Sequence, residues 1–231
     1  MEQLPLGVRL RPGSTMAGFE KGRNGALVAA LEARAATAAL PPLLLWATPG
    51  LGRSHLLQAT CARAAQHGRR AGYLPLAEPW PEPAMIAGLE QLEVLCLDDL
   101  ERVIGRPDWE QALFRLYNDI AEHGGNLIVS SACAPAGLGV QLADLASRLA
   151  ACVVFQLRAL DDAEQGSALK ARARGLGFAL PDETLQYLQR RLPRDMAVLC
   201  DALDQLDAAS LSHQRRLTVP FVRSVLALSG D

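Results

Sequence analysis

The sequence has no marked excess of charge of either sign. Its 231 residues include 23 Lys or Arg and 25 Asp or Glu, for a formal net charge of -2 at pH 7. Proteins that bind nucleic acid tightly and without sequence preference usually carry a clear basic excess. We therefore expect any contact with DNA to be local or indirect. Half of the residues are hydrophobic, which at this length predicts a globular protein with one large domain, or a medium and a small one.

The sequence also lacks long apolar runs and closely spaced cysteine pairs. No uninterrupted apolar stretch approaches about 18 residues, and no apolar segment follows a basic start at the N-terminus. These absences predict a cytoplasmic protein that does not enter a membrane. None of the five cysteines forms a C-x-x-C pair; they are Cys61, Cys96, Cys133, Cys152 and Cys200. We expect free thiols in a reducing compartment, not disulfides or zinc ligands.

A glycine-containing loop follows the first strong apolar run, Leu43–Trp46, which is typical of a buried parallel strand. In such a loop glycines let backbone N–H groups turn inward, and the helix that follows adds its unpaired N–H groups and positive dipole end. The pattern predicts a site for a diphosphate, although a simple glycine turn stays open as the alternative. The predicted nucleotide-binding residues here are Pro49, Gly50, Leu51, Gly52, Arg53, Ser54 and His55.

This loop departs from the usual phosphate-loop pattern, G-x-x-x-x-G-K-[ST], at two positions. In that pattern the lysine reaches the β- and γ-phosphates and the hydroxyl holds Mg²⁺. Ala47 stands where the first glycine belongs, and Arg53 replaces the lysine. Arginine keeps the positive charge but is a planar fork instead of a compact ammonium. We therefore expect nucleotide binding to survive better than hydrolysis.

Two carboxylates follow a second apolar run, Val94–Leu97. Ligands of parallel α/β sheets gather beyond the carboxyl ends of the strands, so these acids should face the phosphate loop. By analogy with phosphate-loop enzymes, Asp98 would support Mg²⁺ through water or Ser54, and Asp99 would orient an attacking water. Two solvated loop acids are the alternative.

The other predicted elements before Leu160 alternate between helices and strands. Helices are predicted at 25–38, 53–67, near 84–90, at 108–123 with Asp108 as its cap, and at 141–149; strands are predicted at 73–76, 127–129 and 152–157. The buried stripe predicted for the helix at 108–123 comprises Trp109, Leu113, Leu116, Tyr117 and Ile120. Ser131 ends the strand at 127–129 and is a candidate γ-phosphate sensor, although serines more often cap the following loop. In the helix at 141–149, Leu142, Leu145 and Leu149 form the inward stripe, and Arg148 falls outside it.

After Leu160 the pattern is helical throughout, with helices predicted at 161–175, from Pro181, at 194–209 and at 218–228. Asp161 and Glu164 predict a capping box at the start of the first of these helices. The sequence thus predicts three parts: an extended tail at 1–13, an α/β nucleotide-binding domain at 14–160 and a small helical domain at 161–231. Arg194, predicted in the first turn of its helix, is a candidate nucleotide contact, with a solvated surface arginine as the alternative. The tail Gln3-Leu4-Pro5-Leu6-Gly7-Val8 is either a docking peptide or a simple leader.

Taken together, these motifs resemble the DnaA-related AAA+ family, and within it the short Hda-type regulators. The motifs that carry the resemblance are Phe19, Gly22 and Asn24; Gly50-Leu51-Gly52-Arg53-Ser54-His55-Leu56-Leu57; Leu97-Asp98-Asp99; Ser130-Ser131 with Pro135; Leu145-Ala146-Ser147-Arg148-Leu149; Arg194-Asp195-Met196; and Leu203-Asp204-Gln205-Leu206-Asp207. Ala47 and Arg53 look like the Hda variant of the loop. Because the chain ends at Asp231, we expect no C-terminal helix-turn-helix domain of the initiator.

The resemblance implies a P-loop AAA+ parallel sheet flanked by helices and followed by a small all-helical lid domain. It implies that ADP or ATP, with or without Mg²⁺, binds with Arg194 as a sensor. It also implies binding to the DNA polymerase sliding clamp through Gln3, Leu4 and Leu6, although Pro5 and Gly7 differ from the usual residues. DNA would be contacted through the clamp alone.

In the implied activity, the clamp-bound protein stimulates ATP hydrolysis by the initiator DnaA and prevents re-initiation of replication. Arg148 would be an arginine finger that acts on the partner's ATP. Ala132 stands where the initiator has an acidic residue, which predicts weak sensing of a γ-phosphate in this chain's own site. A stand-alone ATPase of the helicase-loader type, a scaffold with a vestigial pocket, and a homodimer all stay open.

Overall fold

The computed structural model of the protein describes residues 14–77, 82–213 and 218–226. The predicted clamp-binding residues Gln3, Leu4 and Leu6 lie outside these ranges. Two compact units are present. In the described part of the chain, the first comprises residues 14–16, Asn24–Pro49 and Arg53–Arg158, and the second comprises Ala17–Arg23, Gly50–Gly52 and the residues after Arg158. No helix within the described ranges has the length and apolar character needed to cross a membrane.

The first unit is built on a sheet of five parallel strands, in the spatial order β2-β3-β4-β1-β5. The strands are β1 (Leu43–Trp46), β2 (Ala71–Pro75), β3 (Val94–Asp98), β4 (Asn126–Ser131) and β5 (Val153–Gln156). The predicted parallel sheet with flanking helices is confirmed. Strands β3 and β4 are buried at every position, which explains why each contains a continuous apolar run, 94–97 and 127–129, instead of an alternating pattern. At the edge, β5 leaves Val153 and Val154 partly exposed.

Four α-helices accompany these strands: α1 (Gly25–Ala36), α2 (Arg53–Gln66), α3 (Pro107–Glu122) and α4 (Ala143–Ala150). The predicted inward stripe of α3 is confirmed, because its members are all buried: Trp109, Leu113, Leu116, Tyr117 and Ile120. Trp109 has no exposed surface and lies in the same apolar cluster as Leu97 of β3 and Leu145 of α4. This cluster ties α3 and α4 to the sheet.

Local details differ from the sequence-based expectations. The predicted helix at 84–90 is two short 3-10 helices, Pro83–Ile86 and Leu89–Gln91, because Gly88 between them has a φ of 83°. Asp108 is not the cap of α3. The helix begins at Pro107, whose fixed φ suits the first helical position, and the side chain of the N-cap residue, Arg106, makes no capping hydrogen bond.

The second unit contains α5 (Asp162–Gly175), α6 (Asp182–Arg191), α7 (Met196–His213) and α8 (Val219–Val225). The predicted capping box of α5 is confirmed: the Asp161 carboxylate accepts from the Ala163 and Glu164 N–H groups, and Glu164 accepts from the Asp161 N–H. The prediction that Arg194 lies in a first helical turn is wrong, because α7 begins two residues later. The predicted end of the last helix, at 228, lies outside the described residues.

A buried carboxylate fixes the approach to α4. Glu110 is 1% exposed, and its oxygens accept from the backbone N–H groups of Gly105, Gln141 and Leu142 at 2.7–3.1 Å. Burial raises the pKa of Glu110, but these three N–H groups favour the carboxylate and leave that pKa below its ordinary value. Glu110 of α3 therefore binds the backbone at which α4 begins.

We predict that Glu110→Ala lowers the free energy of unfolding by about 2–4 kcal/mol, because three N–H groups lose a charged acceptor. Since the folded pKa is lowered, this stabilisation is present above the ordinary pKa of 4.5 and is lost as the pH falls through the folded pKa. In urea denaturation, the difference in the free energy of unfolding between the wild type and Glu110→Gln should be constant near pH 7 and shrink below pH 4.5. Glu122→Gln, exposed on the same helix, is the control. A gap that widens in acid would contradict this assignment.

Candidate functional site

Predicted site residues end or follow three adjacent strands of the first unit. Strand β1 runs into the phosphate-loop segment, β3 ends at Asp98 and β4 ends at Ser131. Because β4 lies between β1 and β3, its serines are neighbours of both strands. The backbone N–H of Ala47 donates to the Ser131 carbonyl at 3.1 Å, which extends the β1–β4 pairing into the loop. The strand ends thus form one candidate site.

Both loop glycines have backbone conformations that other residues rarely adopt. Gly50 has a φ of 87° and Gly52 a φ of 100°. Within the second unit, a Cβ at Gly50 would collide with the Asp195 carboxylate, and a Cβ at Gly52 would lie 3.2 Å from the Phe19 ring. Helix α2 begins at the next residue, so its first N–H groups follow directly on this turn. The loop therefore has the backbone form that anion-binding turns use.

Arg53 is directed at acidic residues of its own unit. It is 7% exposed. Its Nη2 donates to Asp99 Oδ1 at 2.7 Å, and its Nη1 lies 3.5 Å from Glu101 Oε1. The second contact is an ion pair without hydrogen-bond geometry, and the buried Nη1 has no hydrogen-bond partner among the described residues. The arginine that replaces the phosphate-loop lysine is thus held by two carboxylates.

The carboxylate of Asp98 is buried and accepts at both oxygens. Its Oδ2 accepts from the Tyr73 hydroxyl at 2.7 Å, and its Oδ1 accepts from the Ser130 hydroxyl. Burial, followed by the negative charge of Asp98, raises the pKa of Tyr73 well above its ordinary value. Tyr73 therefore keeps its proton and acts as a donor. Asp98 is built into the site from β2 and β4 as well as from its own strand.

Asp99 has a left-handed backbone conformation, with a φ of 60°. Its N–H donates to Ser130 Oγ at 3.0 Å, so the same serine contacts both acidic residues. Burial and the neighbouring Asp98 raise the pKa of Asp99, and Arg53 offsets part of that increase. An uncommon conformation of a non-glycine residue next to a buried carboxylate is typical of functional sites.

The predicted magnesium residues fit that ion as part of a nucleotide complex. Ser54 is exposed in the first turn of α2, and Asp98 accepts two protein hydrogen bonds. Within the described residues, no group of three or more His, Cys, Asp or Glu side chains is arranged to hold a metal. Mg²⁺ in nucleotide sites takes most of its ligands from phosphates and water and one or two from the protein. The residues present match that donor set and no larger one.

The remaining predicted site residues of the first unit have structural contacts. The Ser131 hydroxyl donates to the Cys133 carbonyl at 2.6 Å, which is the loop-capping arrangement. His55 Nε2 lies 3.0 Å from the Thr15 carbonyl and ties α2 to the segment before α1.

Arg148 lies in the last turn of α4, with Leu145 and Leu149 buried and its own side chain exposed. Its guanidinium carbon is 5.8 Å from the centre of the Tyr117 ring of α3, a distance at which a cation is attracted to the ring face. Since Tyr117 is buried in the α3 stripe, it offers a rigid surface to the arginine. Arg148 is thus oriented by its neighbour while its face stays open to solvent.

Arg194 belongs to the second unit. Its Nη2 lies 3.0 Å from Asp162 Oδ2, and the two side chains are 77% and 65% exposed. Ion pairs this exposed contribute little stability, typically about 0–1 kcal/mol. The next residue, Asp195, accepts from the Ala197 N–H at 2.7 Å and so caps α7.

Sequence reasoning missed three residues of this site: Tyr73, Glu101 and the role of Ser130 as a shared partner of the two acids. Glu101 had a signal in its spacing, because it follows Asp98 by three residues in the same loop. Tyr73 had none, because it lies on a different strand and the register of β2 against β3 pairs it with Cys96, two residues before Asp98.

Comparisons with known proteins agree with this architecture. Residues 162–226 match the family model "Hda, lid domain". Domain III of the replication initiation protein DnaA from Thermotoga maritima is similar in structure, with a TM-score of 0.79, 22% identity, and coverage of 95% of this chain and 98% of that one. AMPPCP-bound DnaA from Aquifex aeolicus gives a TM-score of 0.74, 18% identity, and coverage of 89% and 68%. A DnaA bound to AMPPCP and single-stranded DNA gives a TM-score of 0.71 and 21% identity, and the match covers 90% of this chain and 69% of that one.

These matches confirm the predicted fold class and the expected relationship. The family model matches residues 162–226 of the helical unit, and the structural similarity extends over nearly the whole chain. The helices after Arg158 therefore match the lid domain of the Hda family, and the chain as a whole has the fold of DnaA domain III.

Proposed function

We propose that this protein regulates the initiation of DNA replication by stimulating ATP hydrolysis in the initiator DnaA. In this proposal it binds ADP and the DNA polymerase sliding clamp, and its Arg148 completes the ATP site of DnaA. The observation that carries the proposal is that the two arginines differ in their surroundings. Arg53 is held by two acids of its own site, whereas Arg148 is exposed on a helix that the core holds in place.

Nucleotide binding is supported by the turn at Gly50 and Gly52 and by the N-terminus of α2 that follows it. These groups hold the α- and β-phosphates of a nucleotide whatever side chain occupies position 53. Two structurally similar DnaA proteins carry AMPPCP. Ser54 and Asp98 would hold Mg²⁺ when it is present, and Arg194 would leave its weak surface ion pair to contact the nucleotide.

Weak hydrolysis by the isolated chain is consistent with the contacts of Arg53. A phosphate-loop lysine neutralises charge on the γ-phosphate, but Arg53 Nη2 is bound to Asp99, the residue that would orient the attacking water. Asp99 is itself engaged by this bond. Ser131, the proposed γ-phosphate sensor, has its hydroxyl on the Cys133 carbonyl. Each of the three groups that would act on a γ-phosphate thus has a partner within the protein.

An exposed arginine is chemically suited to act on a second molecule's nucleotide. Its planar fork keeps its charge and makes bidentate contacts with phosphate oxygens. Arginine fingers supplied by a partner are typically worth about 10³–10⁵ in rate. Stacking on Tyr117 limits the conformations of Arg148 before it meets a partner, which lowers the entropy lost on docking.

We predict that the isolated protein binds ADP at least as tightly as ATP, because the loop and helix N-terminus contact the α- and β-phosphates and Arg53 is withdrawn from the γ-phosphate. Titration calorimetry with each nucleotide measures this preference. A clear preference for ATP, combined with several turnovers per minute by the protein alone, would favour a stand-alone ATPase of the helicase-loader type.

We predict that Arg148→Ala abolishes the stimulation of DnaA and leaves ADP binding and clamp binding unchanged. The assay measures ATP hydrolysis by ATP-bound DnaA with clamp-loaded DNA and this protein, and each component is omitted in turn. Stability should change by about 0.5 kcal/mol or less, since the side chain is exposed. Arg148→Lys should stimulate DnaA poorly, because an ammonium cannot reproduce the planar fork of a guanidinium.

Arg63→Ala is the matched control, because Arg63 is an exposed arginine at the end of α2 that bonds to Gln66 three residues on. It should retain full stimulation. Undiminished stimulation by Arg148→Ala would show that Arg148 is not the finger. Loss of ADP binding in that variant would show that the arginine serves its own domain.

We predict that Gln3→Ala combined with Leu4→Ala removes binding to the sliding clamp, since each buried leucine contributes about 1.5–3 kcal/mol to peptide docking. Thermal unfolding of the double variant is the control and should be unchanged. Size-exclusion chromatography with purified clamp gives the result. Continued co-elution of the double variant with the clamp would identify the tail as a leader.

A further inference from the structure

We propose that Glu101 is a specificity-determining residue that makes the nucleotide site prefer a diphosphate to a triphosphate. This inference rests on the proposed nucleotide binding and concerns the same site. Arg53 is the positive side chain that the phosphate loop offers to a γ-phosphate, and Glu101 is placed to hold it away from that position. The side chain therefore acts through Arg53 and need not touch the nucleotide.

The two oxygens of Glu101 have separate partners. Oε1 lies 3.5 Å from Arg53 Nη1, and Oε2 accepts from the Ala132 N–H at 3.0 Å. The Ala132 bond joins the loop after β3 to the loop after β4, so the carboxylate is fixed on the side facing Arg53. Its side chain is 24% exposed, which leaves it partly shielded from water. A carboxylate oriented by one partner loses less entropy when it binds the second.

The two acids hold different nitrogens of the guanidinium. Asp99 takes Nη2 in a short hydrogen bond, whereas Nη1 is buried and has an ion-pair contact alone. Nη1 is therefore the donor that a phosphate oxygen would claim, and Glu101 is the group that competes for it. Asp99 alone would leave this nitrogen free to donate.

Charge counting gives the direction of the preference. One guanidinium between two carboxylates leaves a formal charge of -1 on Arg53, Asp99 and Glu101, and the buried Asp98 adds to the negative side. A γ-phosphate brings further negative charge to a partly buried region, where the interaction between like charges is stronger than in water. The α- and β-phosphates are bound by backbone N–H groups and do not depend on this balance. ADP is therefore favoured over ATP.

The absence of a side chain beyond Cβ at position 132 is part of this arrangement. Ala132 offers Glu101 its backbone N–H and no group that competes for the carboxylate. An acidic side chain at this point would repel Glu101 and reduce its hold on Arg53. The residue that weakens γ-phosphate sensing in the sequence pattern thus also provides the anchor for Glu101.

Glu101→Gln tests the proposal, because a glutamine oxygen still accepts from the Ala132 N–H while the charge that holds Arg53 is removed. Titration calorimetry with ADP and with AMPPCP, in one magnesium-containing buffer, gives the ratio of the two affinities. We expect Glu101→Gln to bind AMPPCP about tenfold more tightly than the wild type does. Its affinity for ADP should change by less than about twofold. Glu122→Gln removes one charge from an exposed position of α3 and should leave both affinities unchanged.

The same change in an Arg53→Ala background separates release of Arg53 from simple loss of repulsion. If Arg53 mediates the effect, Glu101→Gln should gain clearly less AMPPCP affinity there than in the wild type. An equal gain in both backgrounds, or an unchanged affinity ratio in Glu101→Gln, would overturn the role of Glu101 while leaving the proposed function intact. A wild-type protein that binds neither nucleotide would overturn both, and the DnaA hydrolysis assay then reports on Arg148 separately.

Discussion

The ion pair between Arg53 and Asp99 is the contact on which the arrangement of the candidate site depends. It joins the first residue of α2 to the loop after β3, across the intervening strand β4. A phosphate-loop cation normally points toward the nucleotide, and here it is satisfied by its own protein. The backbone part of the site stays intact while the side-chain part is closed.

The parallel sheet makes that interaction possible. Because the strands share one direction, the polar residues that end β3 and β4 meet the loop after β1 at a single edge. Ser130 is the residue that uses this geometry most fully, since its hydroxyl contacts both Asp98 and the N–H of Asp99. Tyr73 completes the arrangement from β2. Four strands contribute to one edge, and each supplies backbone or side-chain groups that the others cannot provide.

Helix α3 performs a second task in the same unit, which is to hold α4. At one end of α4 the Glu110 carboxylate binds the N–H groups of Gln141 and Leu142, and at the other end the Tyr117 ring contacts Arg148. Buried leucines of α4 join the core between these two points. The exposed arginine is therefore carried by a helix with three independent attachments. This rigidity is what a side chain needs if it is to enter a partner's site in a defined orientation.

The sequence by itself determined the elements and the chemistry of their ends. Continuous apolar runs predicted β1, β3 and β4, helical periodicity predicted the stripe of α3, and the spacing of Asp161 and Glu164 predicted a capping box, because each of these signals is local. Glycines at 50 and 52 likewise indicated a turn that the backbone angles of the structure show. The sequence does not predict the start of α3 at Pro107, because Asp108 is an equally good local cap. It also predicts Arg194 inside a helix that in the structure begins at Met196.

Partnerships between distant residues were decided by the tertiary structure. No spacing in the sequence states that Arg53 turns to Asp99 and Glu101, that Tyr73 donates to Asp98, or that Arg148 stacks on Tyr117. These contacts depend on strand order and register, which result from packing of the whole unit. The sequence therefore gives the chemical type of each residue. The partner of its charge or hydrogen-bond donor is decided when the sheet brings separate strand ends together.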